Sequence, residues 1–243
     1  MPYRRLPKTD LTRIAALQKA IGMEGYKENG QLVLSYQTIR DAQQMLSKFR
    51  SLQRKYDQYH SQFLKTDKGY KEEAKTARLY IVHFIQVLNM AIQRGEFKAD
   101  IKPGYGLDPT NFNCPKITTE LEIAEWGKKI IDGEEKRVSM GGIPMQNPNI
   151  AKVKVYWSIF ADHFFAINGL KTNAEKYRKE LVEMRPIVDD LLLDLWNQVE
   201  NFYQNLPLNQ SIEKCSQFGL IYYLRSSEKK QMEAEKLQGS LDL

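Results

Sequence analysis

The strongest constraint on this chain is a run of apolar positions spaced by three and four residues, with no glycine or proline to interrupt it. From Tyr36 they fall at Ile39, Ala42, Leu46, Phe49, Leu52, Tyr56, Tyr59 and Phe63, which traces one face of an α-helix. At about 1.5 Å per residue such a helix is roughly 42 Å long. A stripe of that length needs helical partners of similar length to cover it. Ser35 is placed to cap its start, and Leu34 with Ile39 has the spacing of a hydrophobic staple.

The rest of the chain supplies those partners. Thr9-Asp10 caps a short first helix through Ile14, Leu17 and Ile21 that stops at Gly22. After a turn at Thr66-Asp67 and Gly69, a third helix runs to about Arg94, apolar on most sides and polar only at Gln86, Asn89 and Gln93. Residues 96–117 form a compact loop rich in Pro and Gly. The capping box Thr119-x-x-Glu122 opens a fourth helix expected to end near Gly133. Asn147 is the candidate cap of a fifth, with Pro148 at its first turn. That aromatic helix (Val153, Tyr156, Trp157, Phe160, Phe164, Ile167) is expected to close at Gly169.

A second capping box, Thr172-x-x-Glu175, opens a sixth helix whose seam runs from Tyr177 through Leu181, Met184, Val188, Leu191, Leu195 and Val199 to Phe202. Pro186 kinks it without ending it, because the stripe continues in phase. A short helix follows Pro207, and Leu220–Leu224 leans to strand and is expected to pair with Leu32–Leu34.

Leu64-Lys-Thr66 and Leu170-Lys-Thr172 open equivalent turns, so the halves 36–95 and 148–206 read as a pseudo-repeat around an inserted segment, 96–147. The expected fold is all-α: an elongated bundle of four long helices in two hairpins, with short accessory helices and a minor two-stranded patch. It forms a single helical domain over 1–225, with a frayed or disordered tail over 226–243.

Charge is distributed unevenly. Residues 1–60 carry +6, equal to the net charge of the 243-residue chain, and 181–243 carry −4. Either the basic segment is an electrostatic footprint for an acidic partner, or it packs against the acidic segment. Two cysteines without a CxxC pair exclude a disulfide scaffold and the common thiolate metal sites. The start has bases but no apolar segment behind them, and Leu79–Ile92 is too short and polar to span a bilayer. The expectation is a cytoplasmic protein with no membrane partner.

Pro2-Tyr-Arg-Arg-Leu-Pro7, His83 through Met90 into Arg94-Gly-Glu96, Trp126-Gly127, Gly142-Ile-Pro144 with Asn147-Pro148, and Phe218-Gly-Leu-Ile-Tyr222 resemble a family of uncharacterised Bacteroidetes proteins. The resemblance spans nearly the whole chain. It implies a helical domain and assigns no catalytic residue.

No complete catalytic constellation is legible. A di-iron bundle needs Glu three residues before His, and the positions before His83 and His163 hold Tyr80 and Phe160. His83 reads as a hydrogen-bonded core residue. Asp162-His163 and Asp189, Asp190 and Asp194 are the best acid–base cluster, but hairpin geometry separates Asp162 from Asp190. Cys114 and Cys215 read as buried, inert thiols, and neither metal nor cofactor is expected.

Lys48, Arg50, Arg54 and Lys55 are the candidate phosphate contacts on the long helix, although Phe49, Tyr56 and Tyr59 there have core spacing. Tyr105, Glu125, Trp126 and Asn147 are the candidate lining of a ligand or enzyme pocket under the inserted segment. The leading expectation is a non-enzymatic structural or protein-interaction bundle, partnered by itself or another protein. A nucleic-acid-associated protein and a small-ligand binder or enzyme stand as alternatives.

Overall fold

The long stripe forms the helix its spacing requires. In the computed structural model, which describes residues 2–22, 27–28, 30–66 and 69–229, this helix is α2, Tyr36–Thr66. The Ser35 hydroxyl accepts from the Thr38 N–H at 3.1 Å, and Leu34 and Ile39 are both buried. Before it come α1, Asp10–Gly22, whose Thr12 N–H bonds the Thr9 hydroxyl at 3.2 Å. After it come α3, Tyr70–Gln93, a 3₁₀ helix over Ala99–Tyr105, α4, Glu120–Ser139, α5, Ile150–Phe202, and α6, Leu208–Gln217. The chain is predominantly helical, and no helix among the described residues is long and apolar enough to cross a membrane. Of the tail expected over 226–243, residues 226–229 are helical and the rest lies outside the described residues.

Packing divides the chain into two units, Met1–Gln58 with Ala174–Leu243, and Tyr59–Asn173. In the first, Leu17, Phe49, Leu181, Val188, Trp196 and Phe218 centre one core. In the second, Ile81, Phe84, Leu88, Tyr105, Ile130 and Phe160 centre another. The boundaries fall inside α2 and α5.

Four expectations are corrected. The fifth and sixth helices are one 53-residue helix, α5, so the second hairpin is absent and Leu170–Thr172 is helical. A mid-helix glycine costs about 1 kcal/mol against alanine, which the burial of Ile167 and Leu181 on either side outweighs at about 1.5–3 kcal/mol each. The Gly169 carbonyl also receives the Asn173 side-chain amide at 2.9 Å. The helix runs on through Pro186, as expected.

The strand-leaning segments choose other partners. β1, Tyr3–Arg4, pairs antiparallel with β4, Tyr222–Tyr223, while β2, Lys27–Glu28, pairs with β3, Gln31–Leu32, in a local hairpin. Gly30, at φ 82°, gives that hairpin the left-handed backbone its tight turn requires. α4 does not stop at Gly133. A Cβ there would lie 2.7 Å from the Gly104 carbonyl oxygen and the Tyr105 ring, so the glycine serves a close approach. Asn149 rather than Asn147 caps α5, its side-chain oxygen accepting from Lys152 N–H at 2.9 Å.

Candidate functional site

The second unit gathers its polar groups around the inserted segment. Glu134, on the buried side of α4, is 0% exposed and accepts four hydrogen bonds. Arg137, one turn on, donates from Nε and Nη2 at 3.0 and 2.8 Å, and the Met145 N–H donates at 2.9 Å. The Tyr105 hydroxyl donates the fourth and itself accepts from Arg137 Nε at 2.8 Å. Arg137 also reaches the Ile143 carbonyl at 2.7 Å and stacks over the Phe97 ring.

Burial opposes the charge on Glu134 most strongly. The bonds from Arg137, Met145 and Tyr105 nevertheless hold its carboxyl below the usual range. Burial, followed by the Glu134 bond and charge, pushes the Tyr105 phenol up. This knot ties the 3₁₀ helix, α4 and the 140–148 loop together.

Of the four candidate lining residues, only Tyr105 therefore belongs to a polar network, and there it is committed to packing. Trp126 is half-buried with Lys129 over its ring at 4.9 Å, and Glu125 and Asn147 are exposed. Lys102, missed by the sequence reading, is 0% exposed. It donates to the Asn111 carbonyl at 2.6 Å and lies 4.1 Å over the Phe112 ring. Burial pushes its ammonium down, with Asp108 opposing. It anchors the same loop as Asn89, which is buried and donates to the Phe112 carbonyl at 3.1 Å.

His83 is exposed, not a core residue, because the solvent side of α3 is Leu79, His83, Gln86 and Met90. The His163 ring bonds the Glu73 carboxylate of α3. Asp162 and Asp190 lie in different units. Cys215 is buried as expected, whereas Cys114 is only half-buried, and burial raises both thiols.

In the first unit the basic N-terminal segment divides into paired and open parts. Arg4 is held by Glu200, bonding Asn197 as well, and Arg13 is bidentate to Asp189 at 2.8 Å through both Nε and Nη2. Asp10 in return takes a bidentate pair from Arg185 at 2.8 Å. Lys48, Arg50, Arg54 and Lys55 are exposed on α2, and among the described residues none has an ion pair. Lys55 lies 5.3 Å from the Tyr177 ring centre. Arg50, Arg54 and Lys55 line an open cleft of about 520 Å³ with Gln43, Ser47 and Ser51. Lys48 and Lys55 line another of about 510 Å³ with Gln44 and Ser47. No acidic side chain lines either cleft.

No protein-family model, curated protein or solved structure matches the chain. Among the described residues no three His, Cys, Asp or Glu side chains converge as metal ligands.

The second unit has one more surface with chemical character. Val155, Ile159 and Phe165 on α5 are 54%, 45% and 63% exposed. Ile159 and Tyr156 join Glu72, Glu73 and Thr76 of α3 around a shallow groove of about 240 Å³.

Proposed function

We propose that the protein is a non-enzymatic cytoplasmic interaction protein that pairs with a second copy of itself through the exposed apolar face of α5. The observation that carries this reading is the exposure of Val155, Ile159 and Phe165 on one side of one helix, an apolar strip suited to contact with another surface. At 100° per residue they share an arc with Ala151, Ser158, Asp162, Ala166 and Gly169.

The arc is self-complementary. Antiparallel pairing about residue 160 sets Val155 of one copy against Phe165 of the other, Ser158 against Asp162, and Ala151 against Gly169. In these three pairs small meets small, large meets large, and a hydroxyl meets a carboxylate, as an isologous contact requires. A single pair of helices buries an area at the low end of specific interfaces, so association in the micromolar range or weaker follows.

Sedimentation equilibrium over a concentration series tests this reading. A monomer–dimer equilibrium abolished by Ile159→Lys, with helicity unchanged, supports it. A strict monomer at several hundred micromolar, or a dimer indifferent to Ile159→Lys, refutes it.

A second reading rests on the open clefts of α2. Four bases without ion pairs, among uncharged polar side chains and Ile21, Leu46 and Leu52, suit a phosphate backbone read without sequence preference. Binding to duplex nucleic acid should then fall with a log–log salt slope of roughly −3 to −4 for about four phosphates. Arg50→Glu with Arg54→Glu should abolish it, and salt-independent binding counts against it.

A further inference from the structure

The first unit holds a groove of about 400 Å³ with a composition unlike the clefts of α2. Its floor and walls are apolar, made by Leu6, Pro7, Ala15, Ala16, Trp196 and Ile221, and its polar groups are Arg5, Lys8, Lys19, Thr9 and Thr12. Three cations and no acidic side chain line it. Among the described residues none of the three has an ion pair.

Local structure explains the shape. The β1–β4 ladder, continued by Arg5 N–H donating to the Ile221 carbonyl at 2.7 Å, carries the N-terminal segment across one side. Gly219, at φ 90°, lets the chain pass so close to α1 that a Cβ would lie 3.1 Å from the Lys19 Cβ. Leu6 and Ile221 are left 50% and 55% exposed, so the apolar walls stand open.

The floor is closed by a buried indole. Trp196, part of its lining, is only 1% exposed, yet its indole Nε1 is buried without a hydrogen-bond partner. The groove therefore combines an apolar floor with an excess of positive charge.

We propose that this groove binds an apolar carboxylic acid, with the alkyl chain on the Ala16–Trp196 floor and the carboxylate among Arg5, Lys8 and Lys19. A ligand of that class supplies apolar surface for the walls and a charge for the rim. At roughly 30 Å³ per heavy atom, as in liquid water, about 400 Å³ holds on the order of a dozen such atoms. That is the size of decanoate.

The test uses the full chain, with decanoate, decanol and decylamine as probes below their aggregation thresholds. Titration calorimetry gives affinities, and the indole N–H resonances of the three tryptophans report position. The Trp196 signal is assigned by its loss in Trp196→Phe. Decanoate should bind at least tenfold more tightly than decanol or decylamine and should move the Trp196 resonance. The Trp157 resonance should stay, because that residue belongs to the second unit and does not line the groove.

Lys8→Glu with Lys19→Glu, both at exposed positions, should weaken decanoate at least tenfold while the circular dichroism spectrum is preserved. Equal binding of the three probes, no binding at millimolar decanoate, an unmoved Trp196 signal, or indifference to the charge reversals would each overturn the proposal. None of these outcomes bears on self-association through α5, which the sedimentation experiment reads separately.

Discussion

Replacing Glu134 by glutamine changes one atom type at a fully buried position and should cost more stability than any exposed charge change in the chain. The wild-type carboxylate accepts from Tyr105, from Met145 N–H and twice from Arg137, and the Arg137 side chain is itself only 11% exposed. Glutamine keeps the shape but removes the charge, and it turns one acceptor into a donor facing groups that also donate. Arg137 is then left buried without a counter-charge, the situation that costs about 3–5 kcal/mol when a buried pair is broken. At about 2–4 °C per kcal/mol for a chain of this size, the midpoint should fall by roughly 6–20 °C.

The assay is urea and thermal unfolding followed by circular dichroism, with Glu135→Gln as the matched control. Glu135 pairs with Lys154 at 2.6 Å, but the two side chains are 49% and 57% exposed, so the control should change stability by less than about 1 kcal/mol. Tyr105→Phe, which removes one of the four donors, should fall between them at about 1–2 kcal/mol. A Glu134→Gln variant within 1 kcal/mol of its control would show that the knot is not what holds the inserted segment to α4.

Three further outcomes follow from the same geometry. Glu122, taking bonds from the backbone N–H groups of Thr119 and Thr118, has its carboxyl lowered from 4.5 to about 2. Its stabilisation is fully present above about pH 4.5 and is lost as pH falls towards about 2, as is that of Glu134 through its own lowered value. An acid titration of helicity should therefore flatten in that window in Glu122→Gln. Gly127→Ala would set a Cβ 1.9 Å from the Trp157 ring; we expect a loss of about 1–3 kcal/mol or more, with altered near-ultraviolet tryptophan dichroism. Pro186→Ala restores a backbone donor inside α5 and should stabilise the chain by up to about 3 kcal/mol, read as a raised unfolding midpoint; a lowered midpoint would mean that Pro186 itself is needed for packing.

Helix identity was legible where a stripe was long and its caps were local. Ser35, Thr9 and Thr119 act within four residues of their own chain, so their spacing alone announces them. The break expected at Gly169 failed for the complementary reason. A Thr-x-x-Glu pattern is also ordinary helix surface, and only the packing of Ile167 and Leu181 decides that the helix continues. Asn29-Gly30 was a readable hairpin signal that the strand-leaning run behind it obscured. Glu134 and Lys102 could not have been picked out, because residues this polar are buried only when distant groups satisfy them. Those partners lie up to 29 residues from Glu134 and nine from Lys102.

The charge asymmetry resolves into two kinds of cation with different physics. Arg4 and Arg13 are 22% and 11% exposed in their side chains and bind carboxylates of α5, so their charge is spent locally and projects little field. Asp10 shows that the exchange runs both ways, since the basic segment also contributes the acid that holds Arg185. What remains open is positional. Lys48, Arg50, Arg54 and Lys55 lie on a polar helix face, whereas Arg5, Lys8 and Lys19 border an apolar floor. An extended polyanion gains from the first arrangement, because many weak contacts add and counterions are released. A small amphiphile gains from the second, because burying its chain compensates for partly desolvating its charged head. Net charge alone cannot separate these cases; the surface on which each cation stands does.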